Sequence, residues 1–178
     1  MNKPSDRSVA LYAAQGGVIA ALYVVLTLIS YAFGLANGAI QVRISEALTI
    51  LPAFTPAAIP GLFVGCILSN ILTGCMPLDV LFGSIATLLG AIGTYFLCGK
   101  AKAGAQPGPV KTFLAPLPPI IANTLIVPFV LAYVYQFEGS IPYFMLTVGA
   151  GEVISCGVLG ILLLKVLQKY RKHIFPED

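Results

Sequence analysis

Long uncharged segments, separated by short polar ones, dominate this chain. Uncharged residues run without interruption over 8–42, 47–78, 80–99 and 112–137. A helix needs about 20 mostly apolar residues to cross a bilayer, and each of the four runs reaches that length. The pattern predicts an all-α integral membrane protein.

Turn residues and charges divide these runs into six predicted transmembrane helices, of which the second is short and proline-rich. The stretch from Arg43 to Leu78 is too short for two full crossings, which need about 40 residues. Pro52, Pro56 and Pro60 fit a short descending helix, a tight turn and a longer returning helix. The predicted helices are 9–33, 44–54, 57–74, 77–98, 112–136 and 141–169.

Composition agrees with a membrane location. Charged residues make up 10% of the chain and hydrophobic residues 58%, whereas soluble domains carry about 25% charged residues. We therefore predict a single six-helix membrane domain over 1–178. We expect its first apolar segment to remain as a helix, because that segment is too long for the core of a signal peptide.

The distribution of lysine and arginine predicts the topology. Nine of the ten basic residues lie near the two ends of the chain or in the Gly/Pro/Lys connector 99–111. Basic residues favour the cytoplasmic side, so both termini, this connector and the basic tail 166–178 are predicted to be cytoplasmic. Arg43 is the exception, and the stretch around it is predicted to lie on the outer side.

Ionisable and amide side chains within the apolar segments are the candidate binding residues, because burying them in a membrane costs about 2.5–3.5 kcal/mol each for the charged types. Glu152 lies roughly 16 Å into the sixth predicted helix. It is flanked by Gly149 and Gly151, which permit close approach by a neighbour or a ligand. Asn123 and Asn70 also lie within predicted helices. Structural hydrogen bonding is the alternative role for all three polar residues.

Arg43, Glu46 and Asp79 each have two possible roles. Arg43 and Glu46 are three residues apart and can form a local ion pair or contact a ligand. Asp79 follows Pro77 at a predicted helix start, where a carboxylate can stabilise the helix end or face a binding site. Glu138, in a predicted outer loop, fits a solvated turn charge.

The first predicted helix carries rows of small residues at helical spacing, which allow close packing of another helix. That helix could belong to this chain or to another membrane subunit. Gly16 and Ala20 form part of these rows. The candidate docking residues are Ala10, Ala14, Ala13, Gly17 and Ala21.

No catalytic, cofactor or metal motif is present in the sequence. The segment GTYFLCGK resembles a phosphate-binding loop, but five residues separate its glycines and Ala101 stands where a hydroxyl residue is needed. The four cysteines form no CxxC motif, and the single histidine, His173, lies in the basic tail. We predict no catalytic residue, no cofactor, no metal site and no ATPase activity in this chain.

Several segments closely resemble the QueT family, over about residues 8–170. They are AIQVRISEALTILPAFTPAAIPGLFVGCILSNILTG, PLDVLFGSIATLLGA, LPPIIANTLIVPFVLAY and VGAGEVISCGVLG. That family comprises substrate-binding S components of energy-coupling factor (ECF) transporters for queuosine precursors. The resemblance implies six helices, an outer binding site capped by the loop after the first helix, and no intrinsic catalysis.

The resemblance also implies partners and a location. The partners are a small queuosine precursor of the 7-deazaguanine type, an ECF transmembrane coupling subunit, two cytoplasmic ATPase subunits and membrane lipid, with no nucleic acid. The location is the bacterial cell membrane, which the chain crosses several times. The small-residue rows of the first helix also resemble the surface by which S components dock.

The resemblance assigns the candidate residues to ligand binding. The carboxylates would accept N–H donors from the ring edge or pair with an aminomethyl group, while Gln41 and its neighbours would close over the ligand. Aromatic rings near the outer ends of the fifth and sixth helices could stack on the ligand; they are Tyr133, Phe137, Tyr143 and Phe144. The expected substrate-binding residues are Glu152, Asp79, Asn123, Glu46, Arg43, Gln41 and Asn70.

Two other functions remain open from sequence. One is an S component for a different vitamin, which would share the architecture. The other is a stand-alone secondary carrier that uses Glu152 for proton coupling, although no inverted repeat supports it. A membrane enzyme is disfavoured by the missing catalytic motifs.

Overall fold

A computed structural model describes residues 6–36, 41–98 and 108–174. Four parts of the predicted features lie outside these residues: 1–5 of the predicted cytoplasmic N-terminus, 37–40 of the loop after the first helix, 99–107 of the connector and 175–178 of the tail. Throughout the described ranges the regular structure is helical, with no strand.

Within the described residues, seven α-helices, one 3-10 helix and one π-helical segment follow one another. Their order is α1 (Asp6–Ala32), the 3-10 helix (Ile44–Ala53), α2 (Ala58–Leu72), α3 (Pro77–Leu97), α4 (Pro109–Leu114), α5 (Leu117–Tyr133), α6 (Ile141–Glu152), the π segment (Val153–Leu159) and α7 (Gly160–Ile174).

Four helical stretches within the described residues are long and apolar enough to cross a membrane: Val9–Ala32, Pro77–Leu97, Pro109–Tyr133 and Ile141–Tyr170. The 3-10 helix and α2 are apolar but shorter. These spans agree with the predicted all-α membrane protein. That six helices cross the bilayer, and that both termini are cytoplasmic, remain predictions.

Helices α1 and α2 pack in close contact through glycines. A Cβ at Gly61 would lie 2.6 Å from the Gly16 carbonyl oxygen, and one at Gly65 would lie 3.0 Å from that of Ala20. Small residues allow backbones in a membrane to approach this closely. Gly16 and Ala20 therefore serve internal packing, one of the two roles predicted for the small-residue rows.

The 3-10 helix lies at the centre of the bundle. It contacts α1, α2, α3, α7 and the π segment, and nine of its ten residues are buried. Side chains of α1 support its start, because Ser30 Oγ accepts the Ile44 N–H at 2.9 Å and Thr27 Oγ1 donates to Ser45 Oγ at 2.7 Å. Irregular backbone at membrane depth requires such shelter by protein.

The fifth predicted helix, 112–136, is in fact two helices. The break lies between α4 and α5, where three prolines (Pro116, Pro118 and Pro119) cannot donate backbone hydrogen bonds. The Ala115 carbonyl oxygen, which the N–H of residue 119 would satisfy in a regular helix, accepts the Thr94 hydroxyl at 2.9 Å instead. Helix α5 then ends at Tyr133, earlier than predicted.

The sixth predicted helix, 141–169, is continuous, but it changes from α-helical to π-helical hydrogen bonding part-way along. After Glu152 the chain forms the seven-residue π segment before α7 begins. This segment packs against the 3-10 helix. Short π-helical insertions occur frequently at functional sites, and this one directly follows the most deeply placed acidic residue predicted from the sequence.

A buried polar cavity as the candidate functional site

A small polar cavity lies between the 3-10 helix and helices α3, α5 and α6. Its volume is about 20 Å³, which is room for about one water molecule. Each of the three α-helices contributes residues four positions apart, so one helical face points into the cavity. The lining residues are Gln41, Arg43, Glu46, Asp79, Gly83, Thr87, Asn123, Val127, Val148 and Glu152.

Arg43 and Asp79 form one side of the cavity. The Arg43 guanidinium donates to Asn70 Oδ1 at 3.1 Å, and Asp79 is the acidic group that interacts most strongly with its charge. Asp79 Oδ2 accepts the Tyr135 hydroxyl at 2.8 Å, and the Tyr135 oxygen in turn accepts the Met76 N–H at 3.2 Å. This side therefore presents a fixed donor beside a fixed acceptor.

Burial and the neighbouring Asp79 carboxylate raise the pKa of Tyr135 above that of an ordinary tyrosine. Tyr135 lies just beyond the end of α5. Because its hydroxyl stays protonated at physiological pH, it acts as the hydrogen-bond donor to Asp79. The ring thus ties the end of α5 to the start of α3 and holds the Asp79 carboxylate in place.

Glu46 and Glu152 also line the cavity. Glu46 Oε1 accepts a hydrogen bond from the buried Tyr23 hydroxyl of α1. Glu152 Oε2 accepts from the Cys156 thiol at 3.0 Å. One oxygen or sulfur atom from each of Glu46, Glu152 and Cys156 lies within 4.8 Å of the other two. The two irregular helices therefore bring two carboxyl groups together inside the bundle.

One polar atom at the cavity, Glu46 Oε2, is buried without a hydrogen bond to any described residue, whereas the Asn123 side chain interacts with Glu152. Buried polar groups in native proteins are nearly always paired. An unpaired acceptor that lines a cavity is expected of a site that a polar ligand completes.

The backbone at Gln41 closes the cavity over α6. A Cβ at Gly151 would lie 2.1 Å from the Gln41 carbonyl oxygen, so only glycine permits this contact. A Cβ at Gly149 would meet Thr124 Oγ1 at 3.4 Å, an ordinary contact distance. The close approach predicted for the glycines beside Glu152 is therefore made at Gly151, by a neighbouring backbone.

Comparison with known proteins decides the family. The model of the QueT transporter family matches residues 13–169, most of the chain. This protein belongs to the QueT transporter family. The Queuosine precursor transporter QueT of Lactococcus lactis subsp. cremoris (strain MG1363) is 36% identical over 72 residues, which cover 40% of this chain and 42% of that relative. No solved structure matches.

Membership of the QueT family confirms the resemblance seen in the sequence. The family description names transporters. With the four long apolar spans, it also supports a multi-pass membrane protein.

The structure of this QueT-family chain brings together all seven residues expected to bind substrate. Six line the cavity, and Asn70 lies directly behind it, hydrogen-bonded to Arg43. Arg43 and Glu46 turn to different partners, Asn70 and Tyr23, rather than forming the alternative local ion pair. Asp79 lies in the first turn of α3, where its Oδ2 accepts the Tyr135 hydroxyl.

The four aromatic rings suggested for stacking do not line the cavity. Tyr133, Phe137 and Tyr143 are exposed, and Phe144 is packed in a cluster with Leu131 and Val148. Stacking of these rings on a ligand therefore stays a prediction.

Residues at this QueT site that were not predicted from the sequence include the hydrogen-bonding partners Tyr23, Tyr135 and Cys156 and the lining residues Gly83, Thr87, Val127 and Val148. Tyr23 lies on a face of α1 that also carries Thr27 and Ser30, a polar stripe in an apolar helix that could have indicated it. Cys156 is four residues after Glu152 and so shares its helix face. Tyr135 has no local signal, because its partner is 56 positions away.

The five residues expected to dock a partner are exposed on α1. Ala14 also lines an apolar surface groove of about 380 Å³ between α1, the 3-10 helix and α7. A Cβ at Gly17 would meet nothing within 4 Å. This row is therefore separate from the Gly16 and Ala20 row that packs against α2.

Proposed function

We propose that this QueT-family chain is the substrate-binding S component of an ECF-type importer and captures a queuosine precursor of the 7-deazaguanine type. One observation carries the proposal: a small cavity inside an apolar helical bundle gathers three carboxyl groups, a guanidinium and an amide. Ionisable side chains at membrane depth are functional by default. The name of the Lactococcus relative supports the choice of ligand.

The chemistry of the cavity matches one edge of a 7-deazaguanine. That edge carries a ring N–H and an exocyclic amine, which a carboxylate can accept together, next to a carbonyl oxygen that needs a donor. Asp79 and Arg43 present an acceptor beside a donor on one side of the cavity. Asn123 adds a side-chain amide to the cavity lining.

Ligand entry requires the cavity to open. A volume of about 20 Å³ holds about one water and is far smaller than a bicyclic base. The backbone at Gln41 lies across the site and contacts Gly151. We infer that this segment moves away to admit the ligand from the outer side and then closes over it.

We propose that partner subunits in the bacterial cell membrane supply the energy for transport. The sequence contains no nucleotide-binding motif, and the exposed row Ala10, Ala13, Ala14, Gly17 and Ala21 offers a close-packing surface. We propose that this row and the adjoining apolar groove dock on an ECF transmembrane coupling subunit, which two cytoplasmic ATPases drive.

Ligand screening and reconstitution test the proposal. A thermal-shift screen of the purified chain should show stabilisation by 7-deazaguanines and none by unrelated vitamins. In liposomes, accumulation should need the ECF partners and ATP. Stabilisation by another vitamin instead would assign a different S component, and proton-driven uptake by the chain alone would assign a secondary carrier.

A further inference from the structure

A second apolar groove lies on the surface of the bundle, between α4 and α5 on one side and the π segment and α7 on the other. Its volume is about 440 Å³. It shares no lining residue with the polar cavity or with the groove beside α1. Its lining side chains are all apolar: Phe113, Pro116, Leu117, Ile120, Val153, Gly157, Val158, Ile161 and Leu162.

Two irregular stretches of backbone form this groove. On one side the chain breaks between α4 and α5 at Pro116, and on the other side it follows the π segment. Gly157 leaves the groove wall without a side chain at its middle. A Cβ added there would meet only Val153 Cγ1, at 3.8 Å. The groove is therefore open at Gly157, where a larger side chain would occupy it.

Two lysines lie at the end of the groove where α7 continues beyond it. Lys165 is three residues after the lining residue Leu162 and so shares its helix face. Lys169 is one turn further along, and both lysines are exposed. Next to them, Gln168 Nε2 donates to Thr112 Oγ1 at 3.2 Å and joins α7 to α4. The apolar groove thus ends at a basic rim that a hydrogen bond holds together.

The sequence around this rim has no negative charge to balance the lysines. Helices α4 and α7 together contain four lysines and one arginine and no acidic residue. Of these, Lys111 on α4 donates to the Cys98 carbonyl oxygen at 3.4 Å. An anion at the rim would therefore meet uncompensated positive charge next to an apolar surface.

The lining of the groove favours a lipid over another membrane helix. Helices associate in a membrane through small residues and interhelical hydrogen bonds, whereas this groove is lined by large apolar side chains with Gly157 as its one small residue. An acyl chain needs only an apolar surface. Basic pockets between transmembrane helices on the cytoplasmic side are typical sites for anionic lipid head groups, and this end of α7 is predicted to be cytoplasmic.

We propose that this groove and its two lysines bind one anionic phospholipid. An acyl chain lies along the apolar walls, and the phosphate group contacts Lys165 and Lys169. The lipid packs against the π segment, which directly follows Glu152, and so stabilises the irregular part of the sixth predicted helix. The site is independent of ligand binding in the polar cavity, and its failure would leave the proposed function standing.

Lipid competition on the wild-type protein tests the site. The detergent-purified chain is mixed with equal amounts of phosphatidylglycerol and phosphatidylcholine that carry the same acyl chains, and native mass spectrometry counts the lipids retained. One phosphatidylglycerol should be retained about tenfold or more in preference to phosphatidylcholine, the size expected for two basic residues near the membrane surface. Equal retention of the two lipids would overturn the proposal.

Variants assign the preference to the lysines. The double variant Lys165→Gln/Lys169→Gln should retain the two lipids nearly equally. The control Lys3→Gln/Arg7→Gln removes the same charge from the other end of the chain and should keep the wild-type preference. An equal loss in the control would show an effect of net charge alone, and a preference that survives in the lysine variant would place the head group elsewhere. Either result would contradict the site.

A third variant tests the groove itself. Gly157→Leu should abolish retention of phosphatidylglycerol, because the added side chain occupies the place of the acyl chain. If this variant does not fold, the lysine variant decides, since it changes only exposed side chains. Undiminished retention by folded Gly157→Leu would contradict the proposal. So would a dimer of the wild type that Gly157→Leu abolishes, since it would assign the groove to a second copy of the chain.

Discussion

Gln41 and Gly151 are in direct backbone contact, although they are far apart in the sequence. A Cβ at Gly151 would lie 2.1 Å from the Gln41 carbonyl oxygen and 3.0 Å from its carbonyl carbon. This contact holds the chain before the 3-10 helix against α6, one residue before Glu152. The closed state of the cavity therefore depends on the absence of one side chain.

Gly151→Ala should disturb this closure. The added methyl group meets backbone atoms that cannot rotate away, and overpacking of this kind costs about 1–3 kcal/mol. We expect a lower melting temperature and weaker binding of a 7-deazaguanine in a fluorescence-detected melt and a titration.

Gly149→Ala is the matched control. Its methyl group would meet only the Thr124 side chain, at 3.4 Å, and alanine favours a helix over glycine by about 0.5–1 kcal/mol. Its melting temperature should stay the same or rise. Equal behaviour of the two variants would show that the contact with Gln41 does not matter.

Tyr135→Phe should weaken binding through Asp79. It removes the 2.8 Å hydrogen bond to the Asp79 carboxylate and costs about 1 kcal/mol of stability. Without this donor the carboxylate is free to rotate, so we expect ligand affinity to fall about five- to tenfold. Titration calorimetry measures the change. Tyr133→Phe, in an exposed ring two residues earlier, should bind like wild type, and an equal loss there would contradict the role of Tyr135.

Elements of this fold that depend on local sequence signals could be predicted, whereas elements that depend on contacts between distant residues could not. Helices 57–74 and 77–98 were predicted within a few residues of α2 and α3, because apolar length, proline and glycine are local signals. The 3-10 and π windings were not predicted, since they depend on packing between the 3-10 helix and the π segment. The break between α4 and α5 was not predicted either, although the prolines that cause it are a local signal in the sequence.

Site residues could be predicted where a polar side chain lies in an apolar segment that is expected to cross the membrane. A carboxylate or amide in an apolar helix stands out, and so Glu46, Asp79, Asn123 and Glu152 could be chosen before their proximity was known. Tyr23 and Tyr135 were missed because tyrosine is common in membrane helices. Their importance depends on Glu46 and Asp79, their distant partners.

The predicted topology places Gln41 on the outer side and the chain ends in the cytoplasm. In a cysteine-free background, Gln41→Cys should react with a membrane-impermeant maleimide added to intact cells, and Lys169→Cys should react only after the membrane is opened. The reason is the concentration of basic residues near the termini and connector. Labelling of position 41 only from the cytoplasm would overturn the topology.

Gly17→Trp should separate ligand binding from partner docking. The site around Gly17 is open, with nothing within 4 Å of an added Cβ, so the fold and ligand affinity should be retained. A bulky ring on this small-residue face blocks close helix approach, and co-purification with the coupling subunit should fall. Leu146→Trp, on the most exposed part of α6 at 75%, is the control and should co-purify normally. Normal assembly of Gly17→Trp would place the docking surface elsewhere.

The central claim is that the buried cavity is the ligand site, and Glu152 is one of the three acidic residues that line it. Glu152→Gln keeps the shape but replaces one acceptor oxygen with a donor, so an N–H of the ligand would face another N–H. Losing a charged partner from a buried polar contact costs about 2–5 kcal/mol, which is roughly 30- to 4,000-fold in affinity. Glu138→Gln, in an exposed loop, supplies the control.

The most direct measurement is a calorimetric titration of the wild type, Glu152→Gln and Glu138→Gln with 7-aminomethyl-7-deazaguanine, with a melting curve for each protein. The account predicts saturable binding by the wild type and Glu138→Gln. It also predicts an affinity at least about 30-fold lower for Glu152→Gln with little change in its melting temperature. Unchanged affinity together with a lowered melting temperature in Glu152→Gln would make this residue a structural hydrogen-bonding group and contradict the account.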